Sequence, residues 1–441
     1  MPLKPLHYRL QCPYCGTEYA DYFSSNFLLT CPGKHPPALL RAKYDTTSFQ
    51  IQDDLSGLFR FASWLPVRRL LPDSPAPVVF HSDGFGSHVG LNRLWFAFSG
   101  YWPEKGAFMT TCTFKELEAL VVCARIPAGI SNRLVVASAG NTARAFLQVC
   151  SEHNIPLVVF VPETALPLLW LTRPKASCVK IVAVAGEADY FDAIQSSSVI
   201  AQQPGFFPEG GGQNVARRDG LGTVLLALIE ATGRMPQHYF QAVGSGTGGI
   251  AVWEAGERIR QDGRFGDYSM RLHLAQNAPF TPLVDAWHQR TPTLIPLDES
   301  QQKAQLRKIR AQVLSNRQPL YEIVGGVYDA LRHSNGFTYS VSNAEAESAG
   351  AMFLELEGCD LDPAAEVTLA SLLQAVKMGL IMPDDIVLVN LTGGGYHRLK
   401  QEHVLYPQLP DTTVPGSCQS FESSTLRKST EKTFRNIFLL D

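Results

Sequence analysis

Lys115 has neighbours that could give a lysine side chain covalent chemistry. It lies in the segment Thr113-Phe114-Lys115-Glu116, directly before an apolar stretch with helical spacing, Leu117–Arg125. Burial lowers the pKa of a lysine amine, and a neutral amine can form a Schiff base with an aldehyde. The same segment also suits an exposed lysine on an amphipathic helix, because lysine is seldom buried. The segment alone leaves both interpretations open.

A glycine-rich loop follows a predicted strand and opens a predicted helix. Its six residues are Gly244, Ser245, Gly246, Thr247, Gly248 and Gly249. Glycines allow a tight turn, and the N–H groups at the start of a helix converge on an anion, so the loop predicts a phosphate site. It lacks the lysine of a P-loop and does not match Gly-x-Gly-x-x-Gly cleanly, which makes nucleotide binding the weaker interpretation.

Two further loops follow predicted strands. The first contains Ser138, Ala139, Gly140, Asn141 and Thr142. Its N–H groups could bind a carboxylate while Asn141 bonds a flat group beside it, although Ser138 or Asn141 could equally be an ordinary N-cap. The second loop, Thr392–Gly395, puts a hydroxyl before three glycines, which let another group approach the backbone closely.

Together, the lysine and the three loops predict a planar, phosphorylated cofactor that carries an aldehyde, which is pyridoxal 5'-phosphate. Lys115 would hold the aldehyde, Gly244–Gly249 the phosphate and Asn141 the ring hydroxyl, while Thr392 would face the pyridine nitrogen. Open α/β sheets place their ligands at the carboxyl ends of their strands, where these loops are expected to lie.

The N-terminal region contains a candidate metal site. Cys12 and Cys15 form a Cys-x-x-Cys-Gly pattern, and Cys31 and His35 follow after a short polar and aromatic segment. Two close pairs of such ligands suit tetrahedral zinc. The alternative is a small ribbon that has lost its metal or packs as ordinary core. Structural zinc is therefore a second candidate cofactor.

Short apolar runs alternate with helical patterns along most of the chain. Strands are predicted at residues 78–80, 94–98, 134–137, 157–161, 179–184, 239–243, 272–275 and 386–391. Helices are predicted at residues 117–125, 143–150, 188–202, 221–232, 250–261, 299–314, 343–357 and 364–378, with a polar loop at 209–218. This alternation predicts an α/β fold built on parallel sheets with right-handed crossovers.

The same patterns predict a domain organisation. Residues 1–44 form a zinc-ribbon-like segment, and residues 45–106 with 210–407 form the larger, cofactor-binding domain. Residues 107–209 form a smaller α/β domain that carries Lys115. Residues 408–441 are expected to be a poorly ordered polar tail with one short helix.

Composition excludes several classes of protein. The 441 residues are 45% hydrophobic, and 38 Lys and Arg against 41 Asp and Glu give no charge excess for a nucleic-acid or membrane-surface partner. No apolar run is long enough to span a membrane, and we expect no secretory signal. Nine cysteines, an odd number, do not indicate a disulfide framework, so a reducing cytoplasm is the expected compartment.

The order of the motifs resembles that of the fold-type II pyridoxal-phosphate enzymes, of the tryptophan synthase β kind. The Cys-x-x-Cys ribbon and the Thr-Gly-x-Gly strand end are similar to threonine synthase. Three segments resemble most closely the related cysteate synthase family: Gly100–Phe108, Cys112–Ala119 and Asn214–Gly220. The resemblance spans roughly residues 10–398 and implies two open parallel-sheet domains, a small-molecule amino-acid substrate and a homo-oligomer of two or more copies.

The resemblance implies a β-replacement in which O-phospho-L-serine loses phosphate and sulfite adds to give L-cysteate. Lys115 would be displaced from the cofactor and act as the base. Asn214, Arg217 and Arg218 would bind the leaving phosphate, with Lys105 and Arg144 as further candidates; each could instead be a solvated charge. Threonine synthases have Phe-Lys-Asp-Arg where this chain has Phe-Lys-Glu-Leu, which suggests a differently organised substrate site.

Other functions remain open from the sequence. The chain could be a threonine synthase that acts on O-phosphohomoserine and water, or it could use another nucleophile on phosphoserine. A catalytically inactive scaffold that binds partners through the ribbon is the alternative from another class. A visible absorption band that Lys115→Ala abolishes would exclude the scaffold.

Overall fold

The structure is a computed structural model that describes residues 6–23, 26–186 and 188–415. The chain divides into two compact units: unit 1 is Met1–Ile130 with Gly210–His403, and unit 2 is Ser131–Glu209 with Val404–Asp441. Residues 416–441, most of the predicted tail, lie outside the described residues. Within the described ranges, no helix has the length and apolar character needed to cross a membrane.

The described residues form eighteen strands. They are β1 (Tyr8–Gln11), β2 (Glu18–Tyr19), β3 (Arg41–Tyr44), β4 (Val78–His81), β5 (Leu94–Phe98), β6 (Tyr101–Trp102), β7 (Ala107–Phe108), β8 (Arg133–Ala137), β9 (Leu157–Pro162), β10 (Trp170–Leu171), β11 (Val179–Val184), β12 (Phe206–Pro208), β13 (His238–Ala242), β14 (Arg271–Asn277), β15 (Phe337–Val341), β16 (Val387–Leu391), β17 (Tyr406–Pro407) and β18 (Thr412–Val414).

Twelve α-helices are present in the same residues. They are α1 (Gly84–Val89), α2 (Lys115–Arg125), α3 (Asn141–Glu152), α4 (Tyr190–Ala201), α5 (Val215–Thr232), α6 (Thr247–Asp262), α7 (Pro282–His288), α8 (Glu299–Leu306), α9 (Val327–His333), α10 (Asn343–Glu357), α11 (Pro363–Lys377) and α12 (Tyr396–Glu402). Short 3-10 helices lie at Gly57–Trp64, Pro103–Lys105, Glu163–Leu168, Gly211–Gln213 and Gln312–Leu314.

Unit 1 is built on a six-stranded sheet in the order β15-β14-β13-β16-β5-β4. All neighbouring strands are parallel except β4, which is antiparallel to β5 at the edge. The central strands are buried along their length because helices cover parallel sheets on both faces, which explains their continuous apolar sequence. The predicted parallel α/β sheet is confirmed here.

Unit 2 contains a five-stranded parallel sheet in the order β12-β8-β9-β11-β18. Its last strand corrects the prediction of a poorly ordered tail from residue 408, since Thr412–Val414 pairs with Val182–Val184. The side chain of Asp411 accepts hydrogen bonds from Lys175 Nζ at 2.9 Å and from the backbone of Ile181 at 2.7 Å. The strand β18 was not predicted because the composition around it is polar and because its partner, β11, lies more than 200 residues earlier.

Helix α5 begins earlier than predicted. A loop was predicted over residues 209–218, whereas α5 starts at Val215, with Asn214 as its N-cap. Arg217 and Arg218 are therefore helical and buried rather than loop residues. The charged helix predicted over residues 299–314 is shorter than expected and ends at Leu306.

The units divide differently from the predicted domains. Residues 107–209 were expected to form the smaller domain with Lys115, but α2 belongs to unit 1. The backbone before α2 is bonded to the end of β16, through Phe114 N and Thr392 O at 2.9 Å. The division falls after α2, near Pro127 and Gly129, which are turn residues that the sequence analysis did not use.

A buried hydrogen-bonded chain crosses the sheet of unit 1. His238 Nε2 lies 3.2 Å from Asp385 Oδ2, His238 Nδ1 lies 2.9 Å from His273 Nε2, and His273 Nδ1 lies 2.7 Å from Tyr339 Oη. If each donor points toward Asp385, both imidazoles are neutral and every nitrogen is satisfied. Burial lowers the pKa of His238 and lowers that of His273 well below its ordinary value.

We expect the free energy of unfolding to fall as the pH drops from 7 toward 5. Unfolded histidines take up protons near pH 6.5, whereas the folded His238 and His273 resist protonation, so the unfolded state binds more protons and gains stability. The slope should approach about 1.4 kcal/mol per pH unit for His273, whose pKa is lowered well below its ordinary value, and His238 should add to it. Urea unfolding at several pH values measures it. His273→Gln should flatten the slope, and exposed His88→Gln should leave it unchanged; an equal slope in all three proteins would contradict the prediction.

Candidate active site

Two of the predicted cofactor loops lie at the same edge of the sheet in unit 1. Gly244–Gly249 follows β13, Thr392 follows β16, and these strands are parallel neighbours. Neighbouring strands lie about 4.8 Å apart, so the two loops begin next to each other. The structure therefore brings the glycine loop and the Thr392 hydroxyl to one edge, as the sequence predicts.

The glycine loop is shaped by close packing. Gly246 has a φ of 81° and is the N-cap of α6, and a Cβ there would lie 2.1 Å from Val327 Cγ2. A Cβ at Gly248 would lie 2.2 Å from Gln241 Nε2. The first intrahelical bond of α6 runs from Ile250 N to Gly246 O at 3.1 Å, and the N–H groups before it have no intrahelical acceptor. This 16-residue helix thus presents an N-terminus that suits a phosphate.

The end of β16 is joined to the loop that carries Lys115. Thr113 and Gly393 form a β-bridge, and Phe114 N donates to Thr392 O at 2.9 Å. A Cβ at Gly393 would lie 2.5 Å from Cys112 O, so the glycine is needed for the two backbones to meet. Lys115 is thereby held beside the strand end that carries the Thr392 hydroxyl.

Lys115 is the first residue of α2 and is largely enclosed. Its side chain is 20% exposed, its Nζ lies 3.2 Å from Glu118 Oε2, and the same atom lies 4.6 Å from the centre of the Phe114 ring. Phe114 and Leu117 are buried. The alternative of an exposed lysine on an amphipathic helix is therefore wrong.

Glu118 also contacts one of the predicted phosphate-binding arginines. Arg217 Nη1 on α5 lies 3.0 Å from Glu118 Oε1, and the Glu118 side chain is fully buried. In the sequence, Glu118 was notable only as part of the segment Cys112–Ala119 that resembles the family. Residues three apart on a helix lie on the same face. The spacing between Lys115 and Glu118 could therefore have identified Glu118 as a contact of the lysine.

Arg218 and Asn214 make structural contacts. Arg218 is fully buried. Its Nε donates to Glu254 Oε2 at 2.8 Å and its Nη1 donates to Gly212 O at 2.6 Å. Its Nη2 donates to the backbone carbonyl of Leu40 in the N-terminal segment. Asn214 Oδ1 accepts from Ala216 N at 3.0 Å and from Arg125 Nη1 at 2.7 Å. The Arg217 side chain is also paired, but it is 10% exposed while that of Arg218 is fully buried, so Arg217 is the better candidate for a phosphate ligand and the roles of Arg218 and Asn214 stay predictions.

The remaining candidate cations pack against aromatic rings. Lys105 Nζ lies 4.6 Å from the centre of the Phe80 ring in unit 1. Arg144, in unit 2, lies 4.5 Å from the centre of the Trp170 ring, and its Nη2 donates to Asn141 Oδ1 at 2.9 Å. A role of either side chain in binding phosphate stays a prediction.

The loop Ser138–Thr142 belongs to unit 2, where it joins β8 to α3. Its N-cap is Gly140, not Ser138 or Asn141, so the ordinary N-cap alternative is wrong for both side chains. Ser138 Oγ accepts from Gly140 N at 3.2 Å. The loop thus follows a strand end and opens a 12-residue helix, as predicted.

The four predicted metal ligands converge in the N-terminal sheet, whose strand order is β2-β1-β3. The ligand atoms of Cys12, Cys15, Cys31 and His35 all lie within 4.8 Å of one another. Cys15 Sγ and Cys31 Sγ are 3.8 Å apart, which matches the about 3.8 Å edge of a tetrahedron with Zn–S bonds of about 2.3 Å. His35 Nδ1 lies 2.7 Å from Pro36 O, which leaves Nε2 facing the sulfurs. The cluster can hold a metal ion.

The N-terminal segment is tied to both helices of the site by a buried ion pair. Arg125 Nε and Nη2 donate to the two oxygens of Asp21 at 2.8 and 2.7 Å, and both side chains are buried. Arg125 is the last residue of α2, and its Nη1 binds Asn214 at the start of α5. The pairing of Asp21 with Arg125 could not be predicted from the sequence, because 104 residues separate the two.

Comparison with known proteins identifies the family of the chain. The family described as "Pyridoxal-phosphate dependent enzyme" matches residues 91–393. A cysteate synthase of Methanosphaerula palustris is 47% identical over 415 residues, which cover 93% of this chain and 95% of that protein. A cysteate synthase of Methanosarcina barkeri is 44% identical over 409 residues, covering 92% and 97%.

Solved structures share the fold at low sequence identity. Maize serine racemase superposes with a TM-score of 0.55 at 17% identity, covering 73% of this chain and 90% of that one. Diaminopropionate ammonia lyase of Escherichia coli superposes with a TM-score of 0.54 at 13% identity, covering 75% and 88%. The fold is that of the fold-type II pyridoxal-phosphate enzymes, and the chain belongs to the cysteate synthase family of pyridoxal-phosphate-dependent enzymes.

Proposed function

We propose that this enzyme forms L-cysteate and phosphate from O-phospho-L-serine and sulfite, with pyridoxal 5'-phosphate as its cofactor. Membership of the cysteate synthase family supports this reaction. The single structural observation that carries it is the edge of the unit 1 sheet, where the Lys115 loop is bonded to Thr392 beside the glycine loop. A β-replacement needs a base and an anion site close together, and this edge supplies both.

Each residue has a proposed role. The cofactor, when bound, supplies an electron sink for negative charge at the substrate Cα. Lys115 would hold the cofactor and would act as the base for the Cα proton. The N–H groups of Gly244–Gly249 would bind the cofactor phosphate, and the Thr392 hydroxyl would serve the pyridine nitrogen. Asn141 is proposed to bind the ring hydroxyl, and the N–H groups of Ser138–Thr142 are proposed to bind the substrate carboxylate.

Arg217 is proposed to bind the phosphate of the substrate, and it has a matched control one residue away. Arg217→Gln keeps a hydrogen-bond donor for Glu118 but removes the charge, so we expect the KM for phosphoserine to rise about tenfold or more. Arg218→Gln breaks a buried pair with Glu254 and should mainly lower the melting temperature. Steady-state kinetics and thermal unfolding separate the two effects. A raised KM in the Arg218 variant alone would contradict the assignment.

Other proposals follow from the same resemblance. Zinc bound by Cys12, Cys15, Cys31 and His35 would be structural, because four protein ligands leave no open position for substrate. We propose a cytoplasmic homo-oligomer of two or more copies that acts on a small amino-acid substrate and has no nucleic-acid or membrane partner.

The test of the function is phosphate release by the purified holoenzyme. Phosphoserine is supplied with sulfite, sulfide or no added nucleophile, O-phosphohomoserine is supplied separately, and the products are identified by mass spectrometry. We expect rapid phosphate release and cysteate only with phosphoserine and sulfite. Threonine from O-phosphohomoserine, with indifference to phosphoserine and sulfite, would show a threonine synthase instead. A product from phosphoserine and sulfide would reassign the nucleophile.

A further inference from the structure

One carboxylate lies between the lysine and the arginine of the proposed site. Glu118 Oε2 is 3.2 Å from Lys115 Nζ, and Glu118 Oε1 is 3.0 Å from Arg217 Nη1. The Glu118 side chain is fully buried, while those of Lys115 and Arg217 are 20% and 10% exposed. The two cations therefore reach the carboxylate from two helices, α2 and α5, and the carboxylate fixes their separation.

The other charged groups around this carboxylate are paired elsewhere. On α2, Glu116 Oε2 accepts from Thr111 Oγ1 at 2.5 Å, and Arg125 pairs with Asp21. On α5, Arg218 pairs with Glu254 at 2.8 Å, and Asp219 pairs with Arg258 at 2.7 Å. Among the described ion pairs, Glu118 is the carboxylate shared by Lys115 and Arg217.

We propose that Glu118 is a positioning residue that holds the Lys115 amine and the Arg217 guanidinium on its two oxygens and so sets the distance between the base and the phosphate-binding cation. The part that concerns Arg217 rests on the proposed function. A buried carboxylate with no cation beside it is destabilising. Arg217 keeps Glu118 paired whenever the lysine nitrogen is uncharged. Glu118 can therefore stay buried and charged while Lys115, acting as a base, gains and loses a proton.

The carboxylate has a second effect on Lys115, because an opposite charge within about 4–6 Å favours the protonated form of a nitrogen. In the holoenzyme, that nitrogen would join Lys115 to the cofactor, and its protonation could then be followed in the visible absorption spectrum. Removing the negative charge of Glu118 should therefore lower the pH at which the spectrum changes by about one unit. A residue with only a structural role would lower stability without moving this pH.

The experiment compares the holoenzyme with its Glu118→Gln and Glu116→Gln variants. Glu116 is an equally buried carboxylate on the same turn of α2, but it is bonded to Thr111, so it controls for the loss of a buried charge. We expect the spectral midpoint to fall by about one pH unit in Glu118→Gln and to stay in place in Glu116→Gln. The KM for phosphoserine should also rise about tenfold in Glu118→Gln, because the charged contact between Glu118 Oε1 and Arg217 Nη1 is lost.

A third variant keeps the proposal testable if Glu118→Gln does not fold. Glu118→Asp retains the charge on a shorter side chain, so it should keep the spectral midpoint near that of the wild type while raising the KM. An unchanged midpoint in Glu118→Gln, or equal shifts in Glu118→Gln and Glu116→Gln, would overturn the proposal. The spectral measurement needs only the cofactor, so a shifted midpoint in an enzyme that ignores phosphoserine would refute the proposed function and leave the Lys115 contact standing.

Discussion

Lys115→Ala is expected to abolish the visible absorption band of the bound cofactor and to lower kcat/KM by about 10³-fold or more, the scale of a lost catalytic base. The variant removes both the amine that carries the cofactor and the proposed base. The fold should survive, because the side chain is partly exposed at the first position of α2 and alanine favours a helix.

The control for this experiment is Lys303→Ala on the surface helix α8, where the lysine pairs with an exposed glutamate. It should retain the absorption band and the rate of phosphate release. Absorption spectra of dialysed proteins and initial rates at saturating phosphoserine measure both properties. A Lys115→Ala protein that kept the band after dialysis would show that another residue carries the cofactor, and a scaffold without catalysis would show no band in the wild type either.

Secondary-structure elements were predicted well where neighbouring residues determine where they begin and end. The apolar run Val179–Val184 is closed by a glycine, and its strand was predicted with the bounds that the structure has. The bounds of α10 were predicted equally well, since Ser342 and Glu345 form a capping box at its start. The glycine loop, Lys115 and Thr392 were identifiable because each follows a strand or opens a helix.

The burial of charged side chains could not be predicted from the sequence. Arg217 and Arg218 were predicted to lie in a polar loop, yet both are buried at the start of α5, as is the next residue, Asp219. Their partners come from elsewhere in the chain: Glu118 on α2, and Glu254 and Arg258 on α6. A charged residue is buried only when it is paired, and nothing in the local sequence reports a partner many residues away. The ion pair of Asp21 with Arg125, which connects the N-terminal segment to the site, is a pairing of the same distant kind.

That link predicts that the N-terminal segment supports the active-site helices. Asp21 binds Arg125 at the end of α2, and Arg125 binds Asn214, the N-cap of the helix that carries Arg217. Burial raises the pKa of the Asp21 carboxyl, whereas the hydrogen bonds from Arg125 lower it. The lowering is the larger effect, so the pKa of Asp21 lies below its ordinary value. The pair is therefore fully charged at neutral pH, and its contribution is lost only as the pH falls through that lowered pKa.

Asp21→Asn is expected to lower the free energy of unfolding by about 3–5 kcal/mol at pH 7, because it leaves the buried Arg125 without its counter-charge. The KM for phosphoserine should rise in the folded protein as Asn214 and the first turn of α5 lose their support. Glu18→Gln is the matched control: it removes an exposed ion pair with Lys43 in the same small sheet and should change neither property measurably. Urea unfolding and steady-state kinetics test both expectations, and a protein weakened equally by the two substitutions would show that the Asp21–Arg125 pair has no special role.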